Sequence, residues 1–194
     1  MNPLYDCFPE TVELCGREYP IVTDFRDWLR FYDMLRDSEG STEERIDVLL
    51  SFYARKIPLV YYPICHKLLI KFFKAAELFQ QKKEESGNDD AGPTEKPKQL
   101  YDFAFDAPFI VSGFWQDYGI DLLDQDLSMH WWKFRLLLMG LSERTEFKQR
   151  VMYRNTNTAE IKNVKERQRI QRIQRQIAIP MPAPTDEETG DLFW

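Results

Sequence analysis

The sequence predicts a mainly α protein: a multi-helix bundle with a small N-terminal β-hairpin, in two helical halves joined by a flexible linker. Three observations carry that prediction. Apolar residues recur at helical spacing in one segment after another, and most of these segments open on a capping residue. Residues 128–141 are apolar on nearly every side and hold only two firm charges, Lys133 and Arg135. Residues 82–98 contain no apolar side chain beyond Ala91, Pro93 and Pro97. Such a stretch cannot offset the entropy of ordering itself, so it reads as the linker or an insertion loop.

At 194 residues and 43% hydrophobic, the chain can bury one core, or one core with a small appendage. Aromatic residues make up 14%, which suits large buried areas and contact surfaces. The net charge of −6 argues against bulk nucleic-acid binding, which needs a basic face. Met1 is followed by neither a basic nor an apolar leader region, so a protein that stays inside the cell is expected. Cys7, Cys15 and Cys65 are an odd number without an export signal, and reduced thiols follow.

The elements are predicted in order. Residues 11–15 and 18–22 alternate around Gly16-Arg17 and predict the hairpin, with Pro20 confining its strand to an edge. Thr23 or Asp24 caps a helix to about Arg36, with Phe25, Trp28, Leu29, Tyr32 and Leu35 as one stripe. Ser41 with Glu44 fits a capping box for a second helix, whose apolar side is Ile46, Leu49, Leu50 and Tyr53. Pro58 ends that helix, and Pro63 suits the first turn of a third, running to about Gln81. Its apolar half holds Ile64, Leu68, Leu69, Phe72, Ala75, Ala76 and Phe79; Lys67, Lys71 and Lys74 face away.

Beyond the linker, Asp106 and Pro108 start a helix that Gly119 stops in the left-handed conformation. The Trp131-Trp132 helix follows, apolar all round and therefore enclosed, and far shorter than the roughly 20 apolar residues a bilayer needs. It is expected to form the core of the second half. The stretch 142–144 caps a short helix through Met152 and Tyr153. A last helix, about residues 159–177, is polar and basic, and its isoleucines change face. The expected divisions are 1–81, the hairpin with three helices; 82–98, the linker; 99–178, the second helical half; and 179–194, a disordered acidic tail ending in Leu192-Phe193-Trp194.

No active site is legible, and no enzyme is expected. Neither a P-loop nor a dinucleotide-binding glycine motif occurs. A zinc site would draw on Cys7, Cys15, Cys65 and His66, whose spacing fits no metal pattern, so idle or buried thiols and no cofactor are expected. His130 has no nucleophile or paired carboxylate placed near it, and a packed or helix-terminal histidine is the reading. Asp102, Asp106, Asp121, Asp124 and Asp126 sit near helix starts, where capping accounts for them. Arg167, Arg169, Arg172 and Arg175 are the candidate nucleic-acid contacts. The last helix lacks interleaved aromatics for base stacking, so a solvated face, or an intramolecular partner for the acidic tail, is favoured.

A wider pattern emerges across the second half. Tyr101-Asp102-Phe103, then Asp106-Ala107, the segment Phe114-Trp115-Gln116-Asp117-Tyr118-Gly119-Ile120-Asp121-Leu122, His130-Trp131-Trp132-Lys133-Phe134-Arg135, Gly140-Leu141 and Tyr153-Arg154 together resemble the gene-product-fifteen family of long-tailed bacteriophages and Gram-positive prophages. The hairpin and Thr23-Asp24-Phe25-Arg26-Trp28 fit its opening, so the resemblance covers about residues 10–178. Members are encoded in the tail-morphogenesis region beside the tape-measure gene. The resemblance implies a non-enzymatic tail assembly chaperone in the host cytoplasm that binds the tape-measure protein and other tail proteins and is absent from the finished virion. It supplies no catalytic residues. Self-association through the edge-like hairpin is compatible with it; membrane and nucleic acid are not expected partners. The alternatives are a structural component of the tail and, behind it, a DNA-binding regulator using the basic helix 160–176.

Overall fold

The computed structural model describes residues 1–36, 41–75, 77–79 and 99–180. Among them the chain is mainly α with an N-terminal hairpin, as the periodicity predicts. The hairpin is β1 (Thr11–Leu14) and β2 (Arg17–Pro20); the helices are α1 (Phe25–Arg36), α2 (Thr42–Ser51), α3 (Tyr62–Lys74), α4 (Ala107–Tyr118), α5 (Trp131–Gly140), α6 (Glu146–Asn155) and α7 (Val164–Gln176). Single 3-10 turns at Leu59–Tyr61 and Thr158–Glu160 lead towards α3 and α7. The described residues fall into two units: residues 1–79 with Met129–Phe134, and residues 99–128 with 135–180. The readings of 82–98 as a linker and of an acidic tail beyond Pro180 lie outside the described residues.

In the first unit, β1 and β2 pair antiparallel with Leu14 opposite Arg17. The turn is Cys15-Gly16, one residue earlier than predicted, with φ of 51° and 74°. Positive φ at both central positions matches the strand twist that a two-residue hairpin requires. The hairpin leans on its own unit. The Val22 N–H donates to the Phe52 carbonyl (2.8 Å) and the Ala54 N–H to the Pro20 carbonyl (3.0 Å). Asp24 caps α1, its Oδ1 accepting the Arg26 N–H (2.9 Å), and the Ser41–Glu44 capping box opens α2 as read from sequence. The buried stripe of α1 is Phe25, Trp28, Phe31 and Tyr32; Phe31 takes the place expected of Leu29. Trp28 is the hub. Its indole donates to the Val22 carbonyl (3.0 Å), and its ring lies 4.8 Å from Phe72 and 4.9 Å from Phe52.

Two boundaries here differ from the sequence reading. α2 ends at Ser51, seven residues before Pro58, and α3 ends at Lys74 rather than near Gln81. Ala75 adopts the left-handed conformation (φ 50°) and its N–H turns back to the Phe72 carbonyl. That is a C-cap geometry usually reserved for glycine. Ile64, expected on the apolar side of α3, is 47% exposed.

In the second unit, α4 begins just after Asp106 and Gly119 stops it at φ 63°, as predicted. The Asp106 side chain makes no capping hydrogen bond, contrary to the capping reading, because its carboxylate is bound by Arg154 and the Asp102 N–H. Gly113 lies where a Cβ would meet the Leu141 side chain at 3.2 Å, so α4 approaches that segment through its one side-chain-free position. α6 is capped by Thr145, whose hydroxyl accepts the Lys148 N–H (3.4 Å), not by 142–144. α7 starts five residues later than expected, because Asn163 accepts from the N–H groups of Lys165 and Glu166 and ends the preceding turn. The apparent change of apolar face is therefore a chain break: Ile161 lies before the helix. Among the described residues no helix is long and apolar enough to cross a membrane.

Candidate functional site

The residues singled out by sequence are distributed over both units. His130, Trp131, Trp132 and Phe134 belong to the first. Tyr101, Asp102, Phe103, Trp115, Tyr118, Gly119 and Arg135 belong to the second. The first turn of α5 is therefore core to the N-terminal unit, whereas the sequence reading places the tryptophan pair at the heart of the second half. The reason lies in where the indole nitrogens find acceptors. Trp131 Nε1 donates to the Phe73 carbonyl and Trp132 Nε1 to the Phe72 carbonyl, each at 2.9 Å. A helix leaves its last four carbonyls without intrahelical donors, and the tandem indoles reach two of those carbonyls at the end of α3. The rings add stacking: Trp131 lies 5.0 Å from Phe73 and 5.6 Å from Phe134, and Trp132 lies 5.2 Å from Phe72. Adjacent tryptophans are needed because adjacent carbonyls are being bound.

His130 prepares that geometry. Its Nδ1 accepts the Trp132 N–H (3.0 Å), capping α5 from the side chain. A neutral imidazole that accepts at Nδ1 carries its proton on Nε2, which lies 3.1 Å from the Pro9 carbonyl and donates to it. Burial lowers the His130 pKa, against the opposing pull of the Pro9 carbonyl and of Glu10. Both nitrogens are occupied, so the ring is a structural clamp and not a proton shuttle. The neutral form is the stabilising one. The unfolded chain, near the ordinary value of about 6.5, binds the proton more readily than the fold does. Stability from this group is therefore full above that value and is lost as pH falls through the depressed folded one. Urea midpoints measured at pH 8 and pH 5.5 should show this loss in the wild type. It should shrink in His130→Asn, which keeps an acceptor and cannot titrate; an undiminished loss would place the acid sensitivity elsewhere.

In the second unit Asp102, Asp106 and Arg154 form one buried polar knot. Arg154 donates from Nη1 and Nη2 to the two carboxylate oxygens of Asp106 (2.7 and 2.8 Å), from Nη1 to the Leu100 carbonyl (3.0 Å) and from Nε to the Ile177 carbonyl (2.9 Å). Asp106 also accepts the Asp102 N–H (3.0 Å), and Asp102 Oδ1 accepts from Ala104 and Phe105 (3.0 and 2.7 Å). Asp106 is fully buried and Arg154 is 4% exposed. A buried charge pair this well satisfied positions backbone; it offers no free group for acid–base work. Tyr118 completes the pattern. Its hydroxyl donates to the Leu137 carbonyl (2.9 Å), and a Cβ at Gly140 would sit 3.0 Å from the Tyr118 hydroxyl oxygen. Tyr101 and Phe103 meet edge to face at 5.4 Å. Asp121 and Asp124 close short turns by accepting the N–H groups of Leu123 and Asp126.

Among the described residues no cluster of three or more His, Cys, Asp or Glu side chains could hold a metal ion. Cys7 and Cys15 are exposed. Cys65 is buried beside Tyr53, whose hydroxyl donates to the Cys65 carbonyl (2.9 Å); burial pushes both the thiol and the phenol up. On α7, Arg169, Arg172 and Arg175 are exposed and Arg167 is half-buried. Arg169 pairs with Glu166 at 3.1 Å, and Arg175 Nε donates to the Gln171 carbonyl.

Large apolar side chains are also exposed among the described residues. Trp115 is 62% exposed and Leu123 66%, in the second unit; Leu59 and Val60 are 66% and 77% exposed in the first. Sequence reasoning picks out Trp115 but not Leu59 or Val60. Their one signal is an apolar pair between Pro58 and Pro63, where no helix or strand is predicted to bury it.

Comparison with known proteins places the chain among bacteriophage proteins. The family model described as bacteriophage Gp15 protein matches residues 4–179, and the chain belongs to that family. Membership makes it a phage structural or tail-region protein. No curated protein and no solved structure matches the chain.

Proposed function

We propose that this protein is a non-enzymatic tail assembly chaperone that binds the tape-measure protein and aids assembly of the tail tube around it. One observation carries this reading beyond family membership: Trp115, a residue of the family-like pattern, stands 62% exposed on α4, where packing gives no reason for a tryptophan. Exposed large aromatics concentrate at binding sites, where a flat rigid ring buries much area on contact. The loop after α4 adds exposed Leu123 and exposed Asp121, Asp124 and Asp126. An exposed leucine among three exposed carboxylates in one short loop suits one face of a basic amphipathic helix. His130 and the Asp106–Arg154 pair are consumed by structure, which favours a binding role over catalysis.

Co-expression with the neighbouring tape-measure protein, followed by capture, tests the proposal. The wild-type chain should hold the tape measure in solution. Trp115→Ala should abolish capture while moving stability by no more than about 0.5 kcal/mol, as for other exposed positions. An insoluble, uncaptured tape measure with the wild type would refute the role. A structural component of the tail is the second reading, and detection of the chain in purified virions would select it.

A further inference from the structure

We propose that the outer face of α7 docks the loop 121–126 of a second copy of this chain. This goes beyond the client-binding role and is tested on the chain alone, so either reading can fail without the other. Both surfaces belong to the second unit. At about 3.6 residues per turn, Val164, Lys165, Gln168, Arg169, Arg172 and Arg175 share one side of α7, and all six are exposed. Glu166 pairs with Arg169 at 3.1 Å, on the surface, where such pairs exchange readily. At the C-terminal end of that side lies an open hollow of about 450 Å³, lined by Thr158, Gln171, Gln174, Arg175 and Ala178. Gln174 Nε2 donates to the Tyr153 and Thr156 carbonyls (2.7 and 2.8 Å), which holds this wall in place.

The loop carries the complement. Asp121, Asp124 and Asp126 are exposed, and Leu123 stands 66% exposed among them. Asp121 Oδ1 accepts the Leu123 N–H and Asp124 Oδ1 the Asp126 N–H (2.9 and 3.0 Å). A carboxylate with one such bond keeps further lone pairs for a partner. Leu123 then seats in the hollow with its flanking carboxylates against Arg172 and Arg175. Both surfaces are exposed in the same chain, so neither covers the other within one copy; a second copy brings them together as a heterologous contact.

Other exposed apolar side chains among the described residues match α7 less well. Leu59, Val60 and Ile64 have Lys56, Lys67 and Lys71 as charged neighbours along the chain, and Met152 and Trp115 have no acid at helical spacing. Lys148 Nζ donates to the Met139 carbonyl (2.9 Å). Leu4 and Tyr5 neighbour one acid, Asp6, which accepts the Asn2 N–H (2.6 Å). Val48 of α2, beside Asp47, is 36% exposed, and Glu44 accepts the Ser41 N–H (3.0 Å).

Sedimentation velocity of the full chain, before and after nuclease treatment, tests the contact. The wild type should self-associate, at least about tenfold more weakly as salt rises from about 0.05 M to about 0.5 M. Two charge variants, with folding verified by circular dichroism, should each be monomeric: Arg169→Glu/Arg172→Glu/Arg175→Glu, and Asp121→Asn/Asp124→Asn/Gln125→Lys/Asp126→Lys, where asparagine keeps the turn-closing acceptors. Mixed, they should associate again, since an acidic α7 then meets a basic loop. Leu123→Ser should weaken association at least about tenfold. Association that nuclease removes would assign the α7 face to nucleic acid and overturn the proposal. So would a wild type monomeric up to its highest soluble concentration, association unmoved by any of these variants, or no recovery in the mixture.

Discussion

Trp131→Ala is expected to destabilise the N-terminal unit by about 3–5 kcal/mol, the range for deleting a buried tryptophan or phenylalanine side chain. Trp131 is fully buried and stacks on both Phe73 and Phe134, so neither ring can move into the space without leaving its own contacts. Trp131→Phe separates packing from hydrogen bonding. It keeps an aromatic ring but removes the donor to the Phe73 carbonyl, and should cost less, with about 0.5–1.5 kcal/mol of the loss coming from that bond. Trp132→Phe removes the matching donor to Phe72 and should behave alike. Urea unfolding of the three variants gives the ordering. If Trp131→Phe proves as damaging as Trp131→Ala, the indole stabilises the unit through its reach to α3 more than through its bulk. If Trp131→Ala moves stability by less than 1 kcal/mol, the tryptophan clasp on α3 is refuted.

The second large effect concerns Arg154. Arg154→Met should cost about 3–5 kcal/mol, because it strands the Asp106 carboxylate in an environment from which water is excluded. Asp106→Leu should be comparably damaging, stranding the guanidinium. The double variant is the informative one. With both charges gone, the desolvation cost of the pair disappears with its attraction, and Asp106→Leu/Arg154→Met should be more stable than either single variant. Some loss will persist, since Arg154 also serves the Leu100 and Ile177 carbonyls and Asp106 the Asp102 N–H. A double-mutant cycle measured by denaturant unfolding yields the coupling directly. Simple additivity would show that the two charges do not act as a pair.

These two clusters also mark where sequence reading succeeds and where it stops. Asp24, the Ser41–Glu44 box, Pro63 and Gly119 are legible because each acts on backbone within three or four residues of itself. Thr145 escapes notice because Ser142, three residues earlier, carries the same capping chemistry; the structure uses the Ser142 carbonyl as acceptor for Thr145 Oγ1 (2.8 Å) instead. The end of α3 is hidden for a different cause. Alanines, lysines and glutamates beyond Lys74 are good helix formers, so nothing local marks Ala75 as the left-handed residue. Its terminal carbonyls are met by indoles some 60 residues later in the chain. Arg154 stands out in the sequence only as part of a family-like pattern. A lone arginine in a short polar helix carries no mark of the carboxylate it will meet 48 residues earlier.

Helix identity, most of the caps, the hairpin and the family can thus be read from residues one short span at a time, because periodicity and capping are local physics. The tertiary structure alone decided which unit owns Trp131 and Trp132, that His130 is a clamp rather than an acid or base, and that Asp106 and Arg154 form one buried pair. It also decided that Ile64 and Trp115 face water while Phe31 does not. Each of these depends on which distant group supplies a donor, an acceptor or an apolar wall, and spacing along the chain does not encode that choice.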